Sequence, residues 1–324
     1  MTTSADDTAR ALNLDDVDRI AKQHSNWGRW GAEDEIGTLN HVTDQHRVAA
    51  AQLVRTGEVI SLALPFDSNG PQTGAFGRNN PIHYMMATGA DALAGAQDHM
   101  PTTRHADDGI TMPLSCGTQW DGLSHIFYEG MMYNGRSAAL VSSDGAARNG
   151  VQNMRDKVVG RAVLLDLPRA SGRQWLEPGE AVGPDTLDAA VEFAGVTVGT
   201  GDFVLIRTGQ LAEVRARGSW GDYAGGRAPG LSIAAAQWFA DREVAGYATD
   251  TWGTEMIPNE TADVFQPLHI IMLVHMGMLI GEMFDLEQLA DRCAADGLND
   301  FLLVAPPLPI TGAVASPVNP LAIR

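Results

Sequence analysis

The sequence predicts a single α/β domain with long loops. Three observations carry this expectation. Three short apolar runs, 161–167, 202–208 and 244–248, read as strands, the first two of them buried. Helical patterns alternate with and follow them at 185–194, 231–241, 267–275 and 286–295. No fixed repeat or low-complexity linker divides the 324 residues, and 44% of them are hydrophobic, enough for one sizeable core.

The elements follow in order. Residues 1–40 comprise a polar tail over 1–12, a short helix at 15–24 and a Trp/Gly-rich loop, Trp27-Gly28-Arg29-Trp30-Gly31; the domain proper is expected over 41–324. The tryptophan loop either packs on the body or roofs a pocket, and its aromatic surface favours packing. Thr43 or Asp44 caps a helix running to residue 53, and 59–64 alternates as a strand. Residues 66–112 are irregular and rich in Gly, Pro, Asn and Asp; so long a loop in a compact domain is functional or disordered. Of its histidines, His83, His99 and His105, the first is best placed, because 80–84 reads as a short strand entering the body. Ser232 caps the 231–241 helix, and Pro267 sits in the first turn of the next. A short apolar run at 278–280 leads into Gly281-Glu282, and 301–305 is the final strand.

Charge narrows the function. A net charge of -18 repels phosphate backbones and anionic lipid, so neither nucleic acid nor a membrane is the expected partner; a small molecule is. Two cysteines, Cys116 and Cys293, make no disulfide framework, and residues 1–18 contain no apolar leader, so a cytoplasmic location is expected. The longest apolar stretch, 270–280, is interrupted by His275 and Gly277 and is too short to span a bilayer.

The chemistry concentrates in residues 115–125, Ser-Cys-Gly-Thr-Gln-Trp-Asp-Gly-Leu-Ser-His. If 115–121 is extended, Ser115, Gly117, Gln119 and Asp121 share a face, with a glycine that permits close approach to the backbone. His125 follows a Gly-containing turn and can curl back to the same point. A carboxylate and an imidazole from elsewhere would complete a divalent-metal site, and His269, Glu282 and Asp250 are the candidates. His269 and His275 lie six residues apart and do not share a helical face, so one reaches the site, and His269 is favoured. Cys116 and Trp120 fall on the opposite strand face. Cys116 reads as a buried small hydrophobe rather than a nucleophile. Trp120 reads as core bordering the site, and with Ser115 and His83 it is a candidate substrate contact. Met85, Met86, Met131 and Met132 are candidates to line an apolar pocket.

These residues carry a family resemblance. Segment 115–125 resembles the His-x-Gly-Thr-His-x-Asp-x-x-x-His pattern of the cyclase family of metal-dependent hydrolases, which includes kynurenine formamidases and isatin hydrolases. Gly117, Thr118, Asp121 and His125 match in register. Further similarity lies in Phe203-Val204-Leu205-Ile206-Arg207-Thr208-Gly209, Pro229-Gly230-Leu231 and Ala313-Val314-Ala315-Ser316-Pro317-Val318, so it runs from about residue 45 to the end. The variant Gly-Thr-Gln-x-Asp, with Gln119, resembles a longer branch of the family similar to zinc-dependent dienelactone-type hydrolases.

The resemblance implies a swivelling β/β/α-type sandwich around a central barrel-like sheet, assembled as a homodimer or homotetramer. It also implies hydrolysis of a small lactone, lactam or formamide by metal-activated water. One divalent ion, Zn or Mn, would be held by Gln119, Asp121 and His269, with His125 as general base and acid and Glu282 as ligand or proton relay. Ser115 and Gln119 stand where the family usually has ligand histidines. Three arrangements stay open: an ion held by Asp121, His125, His269 and Glu282 with Gln119 assisting, a harder ion such as Mn(II), or loss of the metal. The rival functions are a metal-free lyase or cyclase using His125 and Asp121, and a non-catalytic small-molecule-binding protein.

Overall fold

A computed structural model describes residues 12–324. The tail expected over 1–12 therefore lies, except for Leu12, outside the described residues.

Nine strands form the main sheet: β1 (Val59–Ser61), β2 (Gln119–Asp121), β3 (Val159–Asp166), β4 (Phe203–Arg207), β5 (Gly246–Thr249), β6 (Leu279–Glu282), β7 (Asp300–Val304), β8 (Ala315–Pro317) and β9 (Leu321–Ile323). Their spatial order is β1-β9-β7-β3-β4-β5-β6-β2-β8, and the sheet curls into a half-barrel. The four central strands, β3 to β6, are parallel, and the flanking pairs are antiparallel. This is the α/β domain with a barrel-like sheet that the sequence led us to expect. Parallel strands covered on both faces must be apolar throughout, and Ala162 to Leu165 and Phe203 to Ile206 are all buried.

Helices cover the sheet. Leu14–Gln23 begins in a capping box at Asn13, and Asp44–Ala51 is capped by Thr43. Pro184–Ala194 and Ala235–Asp241 cross between the central strands. Ser232 does not cap the latter, because 230–231 pairs as a strand with 181–182 and the helix begins three residues later than Ser232. The helix expected over 267–275 is a single α-turn, Pro267–His269, continued by a π-helix, Ile270–Met276. π-turns widen the helix and recur where a side chain must be re-aimed, a geometry that apolar periodicity does not encode.

The tryptophan loop packs on the body. Trp27 donates Nε1–H to the Val274 carbonyl at 2.7 Å and stacks on His275 at 5.1 Å, while Trp30 meets His41 edge-on. Region 66–112 is partly ordered as an antiparallel hairpin, Ile82–Ala87 with Asp107–Thr111. No helix among the described residues is long and apolar enough to cross a membrane.

Candidate active site

The short strand β2 sits between β6 and β8, so its three residues are fixed on both sides. Thr118 anchors its start, donating Oγ1–H to the Met283 carbonyl at 2.6 Å and accepting the Leu64 N–H at 2.8 Å. Strand alternation turns Trp120 into the core, where its Nε1–H reaches the Ala305 carbonyl and its ring meets Phe284. Gln119 and Asp121 point to the other face. The register places Gln119 opposite Glu282 of β6, which brings this carboxylate to the same point. His125 follows the Gly122 turn, closed by its own N–H to the Gly122 carbonyl, and its Nε2 comes within 3.6 Å of Asp121 Oδ1.

Asp121, His269 and Glu282 are buried, and one ligand atom from each lies within 4.8 Å of the others. Gln119 donates Nε2–H to Glu282 Oε2 at 2.7 Å and to Asp121 Oδ1 at 3.2 Å. Its Oε1 is buried with no hydrogen-bond partner among the described residues. His269 presents Nε2 to Glu282 Oε1 at 3.3 Å and Nδ1 to Glu255 Oε1 at 2.5 Å. Burial opposes charge on the His269 imidazole, but these hydrogen bonds to two carboxylates outweigh it and push the pKa up to about 10. Burial raises the Asp121 pKa, opposed by His125 and reinforced by Glu282. The group opens into a cavity of about 280 Å³ lined by Phe76, Arg78, Asp121, His125, Ile126, Trp252, Gln266, His269 and Glu282.

The structure thus brings together Gln119, Asp121, His125, His269 and Glu282. Three other positions lie apart. His83 is exposed on the hairpin, pairs with Asp108 at 2.7 Å and does not line the cavity, because its strand pairs with 107–111 apart from the main sheet. Trp120 is sealed behind β2, and Ser115, although buried, precedes the strand and lies outside the lining. The close approach expected at Gly117 is made by the protein itself: an added Cβ would fall 2.9 Å from the Phe66 ring. Asp250 also stays out, holding the turn after β4 by accepting Thr208 N–H, Thr208 Oγ1–H and Gly209 N–H. Cys116 is buried and its thiol pKa is raised by that burial, which suits a packing role. None of Met85, Met86, Met131 and Met132 lines the cavity.

Sequence reasoning missed Glu255. It accepts His269 N–H and Leu268 N–H, each at 3.2 Å, besides the His269 ring. A buried carboxylate that takes Nδ1–H fixes the orientation of the ring and aims Nε2 at Glu282 and the cavity. The signal that pointed toward it was its place in the loop beyond β5, at the carboxyl end of a parallel strand. Phe76, Arg78, Trp252 and Gln266 were also missed. Phe76 and Gln266 hold positive φ values of 53° and 52°, and Met283, next to Glu282, holds 57°. Such left-handed non-glycine positions cluster at functional sites.

The cyclase family model matches residues 38–256, well over half of the chain. The chain belongs to the cyclase family. A crystal structure of a novel cyclase is 36% identical, covers 94% of this chain and 99% of its own, and superposes with a TM-score of 0.85. Isatin hydrolase A from Ralstonia solanacearum is 18% identical, covers 87% of this chain and 97% of its own, and has a TM-score of 0.60. Isatin hydrolase A from Labrenzia aggregata, bound to benzyl benzoate, is 20% identical over 86% of this chain and 98% of its own, with a TM-score of 0.58. This cyclase-family chain therefore shares its fold with isatin hydrolases. No curated protein sequence matches the chain.

Proposed function

We propose that the protein is a divalent-metal-dependent hydrolase that opens a small cyclic ester or amide. The convergence of Asp121, His269 and Glu282 at the cavity wall carries this reading. The donor set fits a divalent ion: two carboxylates, an imidazole with its second nitrogen held by Glu255, and the unpartnered Gln119 Oε1. Asp121, His269 and Glu282 would hold the ion, with Gln119 turning its amide to offer Oε1. When bound, such an ion makes water a stronger acid and polarises a carbonyl.

The chain's own residues do the rest. His125 lines the cavity beside Asp121 and acts as general base, taking a proton from the attacking water. Water oxygen bonds to the carbonyl carbon, the ring C–O or C–N bond breaks, and His125 returns the proton to the departing oxygen or nitrogen. The product is an open-chain acid. Asp121, pinned in β2, lies 3.6 Å from the imidazole and its charge favours the protonated ring without a hydrogen bond to it. Phe76, Ile126 and Trp252 offer apolar surface to a substrate ring. A metal-free pair of His125 and Asp121 is less well served, since 3.6 Å exceeds hydrogen-bonding distance.

Elemental analysis of purified protein, with turnover of a lactone and formamide panel before and after chelation, tests this. The expected result is about one zinc or manganese per chain, turnover lost on chelation and restored by the ion, and metal lost in Asp121→Asn. Chelator-resistant turnover would favour the lyase reading, and neither metal nor turnover the binding-protein reading. The proposal includes a homodimer or homotetramer, supported by the apolar residues Ile82, Met85, Met86 and Ile110 exposed on the hairpin, and light scattering reads the mass. It also includes a cytoplasmic location, consistent with two free buried cysteines.

A further inference from the structure

The cavity wall opposite in charge to the metal-binding carboxylates is Arg78. Its half-buried guanidinium lines the cavity and lies 5.3 Å from the centroid of the Trp252 ring. Among the described residues it makes no side-chain hydrogen bond and no ion pair. That is unusual in this chain, where 40 acidic residues face 22 basic ones and arginines such as Arg161, Arg173, Arg207 and Arg215 each hold a carboxylate. The Trp252 contact fixes the guanidinium without occupying its N–H donors, which stay available to a ligand. The Arg78 charge opposes from a distance the burial that raises the Asp121 pKa, without a contact that occupies its N–H donors, so those donors are open to an anion on the small molecule.

Phe76 stacks on Trp252 at 5.7 Å with an interplanar angle of 8°, and Ile126 lies on the same cavity. The residues around Arg78 are therefore flat and apolar, suited to a ring. We propose that the substrate is a cyclic ester or amide bearing a carboxylate, and that Arg78 binds this carboxylate as the specificity-determining residue. Planar guanidinium and carboxylate pair through two parallel N–H···O bonds. The anion is held at Arg78 while the scissile carbonyl faces Asp121, His269 and Glu282 in the same cavity. A volume of about 280 Å³ limits the ligand to one or two fused rings. This inference rests on the hydrolase reading for its reaction, but not for its binding step.

The test separates the two. Calorimetry would compare homophthalate, which carries two carboxylates, with its monomethyl ester, in zinc-loaded wild type, Arg78→Gln and Arg78→Lys. The expected result is a preference for the diacid of about ten- to a hundredfold in wild type, reduced in Arg78→Lys and close to unity in Arg78→Gln. In parallel, kcat/KM for phthalide-3-carboxylate over phthalide should show the same preference and the same loss. Equal affinity for the two acids in wild type, or a preference kept in Arg78→Gln, overturns the assignment of Arg78. A wild-type preference in binding without turnover of either lactone supports Arg78 as an anion site and refutes the hydrolase reading.

Discussion

Replacing Glu255 by Gln tests whether this carboxylate orients His269. The change keeps size and shape, so the backbone of the loop beyond β5 has no reason to move. Glu255 Oε1 accepts His269 Nδ1–H at 2.5 Å and His269 N–H at 3.2 Å, and Oε2 accepts Leu268 N–H at 3.2 Å and Asn259 Nδ2–H at 3.3 Å. An amide has a single acceptor atom, so in either orientation its NH2 group faces donors. Hydrogen bonds to a charged group contribute about 1.5–3 kcal/mol each, and losing two on a buried group costs about 3 kcal/mol or more. With the Nδ1–H partner weakened, the ring loses its fixed orientation, and metal affinity should fall about 10–100-fold. Competition against a chromogenic chelator reads the affinity, urea denaturation reads the stability, and 15N shifts of the imidazole read its protonation. Metal affinity within about twofold of wild type, together with an unchanged denaturation midpoint, would refute the orienting role.

Three further outcomes are expected. Gly281→Ala would set a methyl 2.5 Å from Ala248 Cβ and 2.7 Å from the Trp120 ring, a cost of about 1–3 kcal/mol seen as a lowered Tm; a variant as stable as wild type would contradict the β6–β2 packing. Burial lowers the His41 and His275 pKa values from 6.5, so the folded protein binds fewer protons than the unfolded chain: their contribution is full above pH 6.5 and is lost as pH falls through the folded values. Melting scans should show stability dropping on acidification below pH 6.5, less steeply in His275→Phe, and identical slopes would count against this. Gln119→His places an imidazole beside Asp121 and Glu282 and should tighten zinc binding by about tenfold or more; weaker binding would show that the site cannot accept a nitrogen ligand there.

Much of the site was legible because one segment encodes it. Alternation alone put Gln119 and Asp121 on one face and Trp120 on the other, and the Gly122 turn returned His125 to Asp121. His83 was misplaced for a physical reason: a short strand signal does not say whether the strand joins the main sheet or pairs in a separate hairpin. Arg78 and Phe76 lie in a loop with no periodic pattern, so nothing in local sequence aims them at a cavity formed with Trp252 and Gln266.

By itself the sequence determined the layered α/β class, three of the four apolar central strands and the segment bearing Gln119, Asp121 and His125, because hydrophobic period and turn chemistry are local properties. Tertiary structure alone decided that Glu282 lies opposite Gln119, that Glu255 takes the second nitrogen of His269, and that Arg78 faces the same cavity unpaired. Those contacts join residues far apart in the chain. Their geometry follows from strand register and a π-turn, which local patterns do not specify.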